Sequence, residues 1–151
     1  MKINTTRFGE LDYDAGRVIT FKQGILGFPD AKRYILLDHD TLSTFKWLQS
    51  LENEELAFVV IDPVTILEDY RIEIQESDIA DLKLANLEKA VVLCIVNIAK
   101  QCTSVTVNLL GPLVINTEKM IAKQVILINS SLNIKHEIVR YDETGKTMPE
   151  K

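Results

Sequence analysis

Cysteine is scarce in this sequence: Cys94 and Cys102 are the only two in 151 residues. They are too far apart for a CxxC metal or redox motif and too few for a disulfide framework. Cys94, inside the apolar run 90–98, reads as a buried thiol and Cys102 as a surface one. Histidine is equally rare, with two in the chain. No Ser-His-Asp order, HExxH or glycine-rich phosphate loop occurs; Gly24 and Gly27 are spaced as GxxG, but no Lys-Ser/Thr pair and helix follow. Asp38-His39-Asp40 lacks a further convergent ligand and reads as turn chemistry, not a metal site. Catalysis would have to rest on carboxylates alone, so the chain reads as non-enzymatic, with no cofactor. Long apolar runs are missing too. No window approaches the ~18 residues of a membrane span, and no apolar signal stretch follows Met1-Lys2-Ile3-Asn4-Thr5. The expected location is cytoplasmic, without a membrane partner. Asn4-Thr5-Thr6 and Asn129-Ser130-Ser131 match the glycosylation acceptor pattern, which has no consequence there. Positive charge is in deficit, with 17 Lys and Arg against 22 Asp and Glu, a net charge of -5 and a pI near 5.1. Direct nucleic-acid binding, which depends on neutralising phosphates, is not expected. A basic protein partner fits better.

What is present is a set of short apolar runs separated by turns. Hydrophobic residues make up 46% and charged residues 26%, the balance of a globular domain. A single domain is expected over 1–141, and the polar end 142–151, with Gly145 and Pro149, reads as a flexible tail. Segments 11–13 and 17–21 flank Asp14-Ala15-Gly16, and Gly16 is expected to close a hairpin at positive φ. Residues 24–29 read as a loop folded onto the core, anchored by Phe28. Residues 33–37 read as a buried strand, and 56–61 as a central strand ended by Asp62-Pro63. Tyr70, Ile72 and Ile74 alternate with polar residues as in a half-buried strand. Ser77 is expected to cap a short helix over 77–84. The run 90–98 is rich in β-branched residues and reads as strand, and 124–128 as a late strand.

The stretch 108–117 is the most constrained. Two apolar runs flank Gly111-Pro112, which predicts a kinked strand with Leu110 and Ile115 in the core. Asn108 and Asn116 are placed to bond backbone groups where pairing stops. With no repeat and no regular strand–helix alternation, the fold class is mainly β: a single-domain antiparallel β-barrel-like fold with one short helix.

Two surface features are candidates for partner binding. Alternation in 45–50 puts Phe45 and Trp47 on one face of a strand, with Lys46 and Leu48 on the other. Glu68, Asp69, Glu73 and Glu76 form an acidic neighbourhood, and Glu52, Glu54 and Glu55 a second one.

The chain resembles the flagellar assembly factor FliW family. The resemblance rests on Gly24 to Phe28, Trp47-Leu48-Gln49-Ser50, 57–63, Asp69-Tyr70, Asn108-Leu109-Leu110, Pro112 to Asn116, and Lys123-Gln124-Val125. Gly111 stands where the family pattern has alanine, and Val64-Thr65-Ile66 replaces a more aromatic run. The resemblance implies a regulator that binds the translational repressor CsrA, relieves its block on flagellin mRNA, and is titrated by flagellin. The alternative is a flagellin-binding chaperone with no regulatory role. An acidic chain suits CsrA, a small basic RNA binder. A monomer is favoured, without the sequence fixing the oligomeric state.

Overall fold

The computed structural model describes residues 1–38, 45–72, 75–84, 90–98, 104–127 and 136–140. Its strands are β1 (Lys2–Thr5), β2 (Gly9–Asp12), β3 (Ile19–Phe21), β4 (Arg33–Asp38), β5 (Phe45–Ser50) and β6 (Ala57–Ile61). They continue with β7 (Ala90–Ile98), β8 (Ser104–Val107), β9 (Leu113–Asn116), β10 (Ile121–Gln124) and β11 (His136–Arg140). The helix α1 spans Glu76–Leu82, and Ser77 lies inside its first turn instead of capping it. The tail at 142–151, Cys102, the His39 turn and the 129–131 motif fall outside the described residues.

Strands β3 to β7 follow one another, and β7 pairs with β9, β9 with β10, and β10 with β3, so 7 strands close a barrel. Every pairing is antiparallel except β3 with β10. β8 and β11 extend the sheet outward from β7, so the ring itself is closed and β11 is the strand at the sheet's edge. The expected hairpin across 11–21 is not formed. β2 pairs with β1 instead, because Thr5 Oγ1 accepts from Phe8 N at 2.9 Å and donates to Gly9 O at 3.0 Å, stapling that turn. Gly16 is not at positive φ; it lies in a 3-10 turn over Ala15–Arg17, with Asp14 Oδ1 accepting from its N–H at 2.8 Å.

The kinked strand expected at 108–117 is not formed: only β9 lies in that range, and 108–112 is a bend that joins it to β8 along one edge of β7. Val96 pairs with Val107, yet Leu93, three residues earlier, pairs with Leu113, six residues later, so three residues are looped out between them. Asn108 Oδ1 accepts from Leu110 N at 3.1 Å and Gly111 N at 2.9 Å, as its place at the end of pairing predicted. Gln124 holds the bend from outside: its Nε2 donates to Gly111 O at 3.0 Å and its Oε1 accepts from Leu26 N at 2.8 Å. A Cβ on Gly111 would approach Asn108 Nδ2 to 3.1 Å and Gln124 Nε2 to 3.2 Å, so an alanine here would ask these two side chains to shift slightly. The core-facing leucine of the bend is Leu109, 1% exposed, while Leu110 is only partly buried.

Two hydrophobic cores result from the alternation of side chains through the sheet. The barrel interior holds Phe21, Tyr34, Leu48, Val60 and Leu113. The outer core lies on the other face, with Ile61, Tyr70, Leu82, Cys94, Val107 and Leu109. Ile25, 2% exposed, anchors the 24–29 loop; Phe28 is 41% exposed and lies edge-on to Phe58, so the expected anchor is displaced by three residues. Tyr70 and Ile72 contribute to the outer core, but 70–72 is not strand. The Tyr70 hydroxyl instead donates to Leu109 O at 2.6 Å, fixing the segment through a side chain. The late strand begins at Ile121 and ends at Gln124, with Val125 and Leu127 bonding back to the bend at Pro112 O and Leu110 O.

Candidate functional site: two grooves on the outer face

Each half of β7 lines a different groove. The first, about 560 Å³, runs across β5, β6 and β7 and includes Trp47, Val59, Asn97 and Ile98. Register explains the row: Trp47 is opposite Val59, Val59 opposite Val96, and Val96 opposite Val107, all on the outer face. Phe45 shares that face, as expected, and packs against the outer core. The turn between β1 and β2 closes the lip. Phe8 meets Trp47 edge-on at 5.6 Å, and the Arg7 guanidinium lies 4.4 Å from the Trp47 ring centroid.

The second groove, about 460 Å³, lies between the 3-10 turn Pro63–Thr65, the segment 70–72 and the opposite end of β7. Asp62 caps that turn, its Oδ1 accepting from Val64 N at 3.1 Å. Val64 and Val91 are 47% and 40% exposed on its walls. Arg71 lines it together with Asp62, and Glu68 and Asp69, both exposed, immediately precede its lining residue Tyr70 in sequence.

The predicted site residues are therefore divided. Trp47 lines the first groove while Phe45 packs against the outer core, and Glu68 and Asp69 precede the second groove's Tyr70 without lining it. Glu76 opens α1, a different element, and Glu73 lies outside the described residues. In the other acidic patch Glu52 serves the fold, since its Oε1 accepts from Lys32 N and Arg33 N, both at 2.7 Å. Burial raises the Glu52 carboxyl, but those two amide bonds and the charges of Arg33 and Lys32 outweigh it and hold it below its ordinary value. Arg7, Val64, Val91 and Ile98 were not singled out by sequence, because exposure of a single side chain is a tertiary property.

Among the described residues no group of three His, Cys, Asp or Glu side chains could hold a metal ion. Burial pushes the Cys94 thiol up to about 12 despite the Tyr70 hydroxyl at 4.0 Å, so it is held as an unreactive thiol. No helix among the described residues is long and apolar enough to cross a membrane.

Residues 2–138 match the family described as FliW protein. The chain belongs to the FliW family. It is 42% identical to the flagellar assembly factor FliW of Natranaerobius thermophilus over 139 residues, covering 91% of this chain and 92% of that one. Identity to the FliW of Geobacter sulfurreducens is 39% over 147 residues, or 97% and 91% of the two chains. A crystal structure of the flagellar assembly factor FliW superposes with a TM-score of 0.82 at 31% identity, covering 91% of this chain and 96% of that chain. The mainly-β barrel with one short helix is thus the FliW fold.

Proposed function

We propose that this FliW-family protein is a non-enzymatic cytoplasmic regulator that binds the repressor CsrA, frees flagellin mRNA from it, and is withdrawn by free flagellin. The observation that carries the reading is the second groove: exposed Val64 and Val91 in a lining that includes Asp62 and Arg71, with the exposed carboxylates of Glu68 and Asp69 next in sequence to its residue Tyr70. Apolar walls supply contact area, and the acidic edge attracts a basic RNA binder. The net charge of -5 acts in the same direction at long range.

The test is binding of purified CsrA in the absence of flagellin, by calorimetry at low and moderate salt. Binding that weakens with salt is expected, and the double variant Glu68→Lys/Asp69→Lys should bind about tenfold or more weakly while keeping its fold. A folded double variant with unaltered affinity at low salt would remove this edge from the reading. If the wild-type protein binds flagellin but not CsrA, it is a chaperone without a regulatory role. The groove is not a long acidic run imitating a phosphate backbone, so CsrA is expected to be bound beside its RNA surface. RNA titration at fixed protein should then plateau below full RNA binding, and native mass spectrometry should show a ternary species.

A further inference from the structure

We propose that the first groove is a separate docking surface, for an apolar segment of a second protein that presents a carboxylate to Arg7. The two grooves share no lining residue: residues 95–98 of β7 line this one and 90–92 line the other. Between them Cys94 is 0% exposed and Leu93 belongs to the barrel interior, so the surfaces are divided by a closed stretch of sheet.

The two grooves differ in charge: Asp62 and Arg71 offset one another in the lining of the second. Arg7 is the one charged side chain lining the first, in a chain whose net charge is -5. Among the described residues no carboxylate pairs with it. Its position is nevertheless set: stacking on Trp47 orients the guanidinium, and the turn that carries it is stapled by Thr5 and tied to Glu54 O through Thr6 N at 3.1 Å. A stacked guanidinium keeps its N–H edge free for a bidentate carboxylate. Behind it, Val59, Val96 and the 48% exposed Ile98 form an apolar floor, with Asn97 and Thr106 as polar contacts. Such a surface takes an apolar anchor with an acidic neighbour. A second copy of this chain is disfavoured by repulsion between two acidic molecules.

This inference rests on the proposed function, in which the basic repressor belongs at the groove beside Glu68 and Asp69; flagellin is then the occupant of the Arg7 groove, and it withdraws the protein by lowering its affinity for the repressor from a separate surface. The experiment measures affinity for purified flagellin and purified CsrA with the wild-type chain, Arg7→Glu, Ile98→Asp and Val91→Asp. All three positions are on the surface, and thermal melting confirms that each variant is folded. Arg7→Glu and Ile98→Asp are expected to weaken flagellin binding about tenfold or more and to leave CsrA binding within about twofold. Val91→Asp should do the reverse. Loss of both partners in every variant, or of neither in the Arg7 and Ile98 variants, would overturn the assignment of separate surfaces. A wild-type dimer dissolved by Arg7→Glu would replace flagellin with a second copy as occupant. Failure of the wild-type chain to bind flagellin would instead refute the proposed function, and this occupant with it.

Discussion

The barrel interior and the outer core bury similar aliphatic side chains but are held in different ways. Inside, a closed ladder of backbone hydrogen bonds fixes Phe21, Tyr34, Leu48 and Leu113, and the side chains need supply only shape. Outside, the cover is irregular chain and a seven-residue helix, which have no ladder to the sheet. That cover is tied down by side-chain bonds to backbone and to charge: Tyr70 to Leu109 O, Asn116 to the end of α1, and Lys123 to Asp78 and Asp81. Even the left-handed Lys83 at the helix end is seated by Asn116. Where the sheet cannot provide order, buried polar groups provide it.

Truncations should separate the two regions most strongly. Leu48→Ala or Leu113→Ala, inside a ring that cannot relax, is expected to cost about 3 to 5 kcal/mol, and Ile115→Ala about 2 to 4. Leu82→Ala, at the end of a short helix that can shift inward, should cost about 2 to 3 kcal/mol. Chemical denaturation checks the order, and a larger loss for Leu82→Ala would break the distinction. Asn116→Ala comes next. Asn116 is 3% exposed, donates to Leu82 O at 2.9 Å, and accepts from Glu118 N at 3.0 Å, so about 2 to 3 kcal/mol should be lost. Hydrogen exchange should report faster opening of α1 amides than of β5 amides.

The two buried tyrosines give the sharpest contrast. Tyr70→Phe removes a 2.6 Å bond and leaves Leu109 O unpaired, which should cost about 1 to 2 kcal/mol. The Tyr34 hydroxyl is buried with no hydrogen-bond partner among the described residues, and burial together with the Glu52 charge pushes it up to about 12. Tyr34→Phe should therefore be neutral or stabilising by about 1 kcal/mol. Equal losses in the two variants would contradict the different roles assigned to them.

The smallest effects are on pH dependence, with opposite signs. The Lys123 ammonium is raised above its ordinary 10.5 by its bonds to Asp78 and Asp81, against desolvation. Its contribution is complete below 10.5 and is lost as pH rises through the folded value. Lys123→Met should flatten the alkaline fall in stability and cost about 1 kcal/mol at neutral pH. Glu52 is held below 4.5, so its contribution is complete above that value and is lost as pH falls through the lower folded one. Glu52→Gln should flatten the acid limb while leaving the alkaline limb intact. Urea midpoints against pH measure both.

The sequence made β4 to β7 legible because apolar runs and strict alternation are local signals, and Trp47 was placed on its correct face by period two alone. It did not reveal the pairing of β1 with β2, which depends on the Thr5 staple rather than on the glycine at position 16. Tyr70 to Ile72 has strand alternation, but its ordering comes from one hydroxyl bond to a residue 39 positions away, and no periodicity encodes that. At the candidate site, charge and aromatic character were visible in Glu68, Asp69 and Trp47. The apolar surfaces beside them depend on tertiary placement, with Val64 on a 3-10 turn and Val91 and Ile98 near opposite ends of β7.

The parallel pair of β3 and β10 also constrains how the chain can fold. Thr20 N bonds Met120 O at 3.0 Å, and the neighbouring loop bond from Leu26 N to Gln124 spans 98 positions. A ribosome must therefore deliver most of the chain before the ring can shut, whereas the β4–β5–β6 meander can pair as it emerges. Closure is the step with the largest loop entropy and should come last. Pulse-labelling exchange during refolding should protect β5 and β6 amides before Thr20 N. Until that moment the free edge of β3 is the segment most open to pairing with the wrong chain.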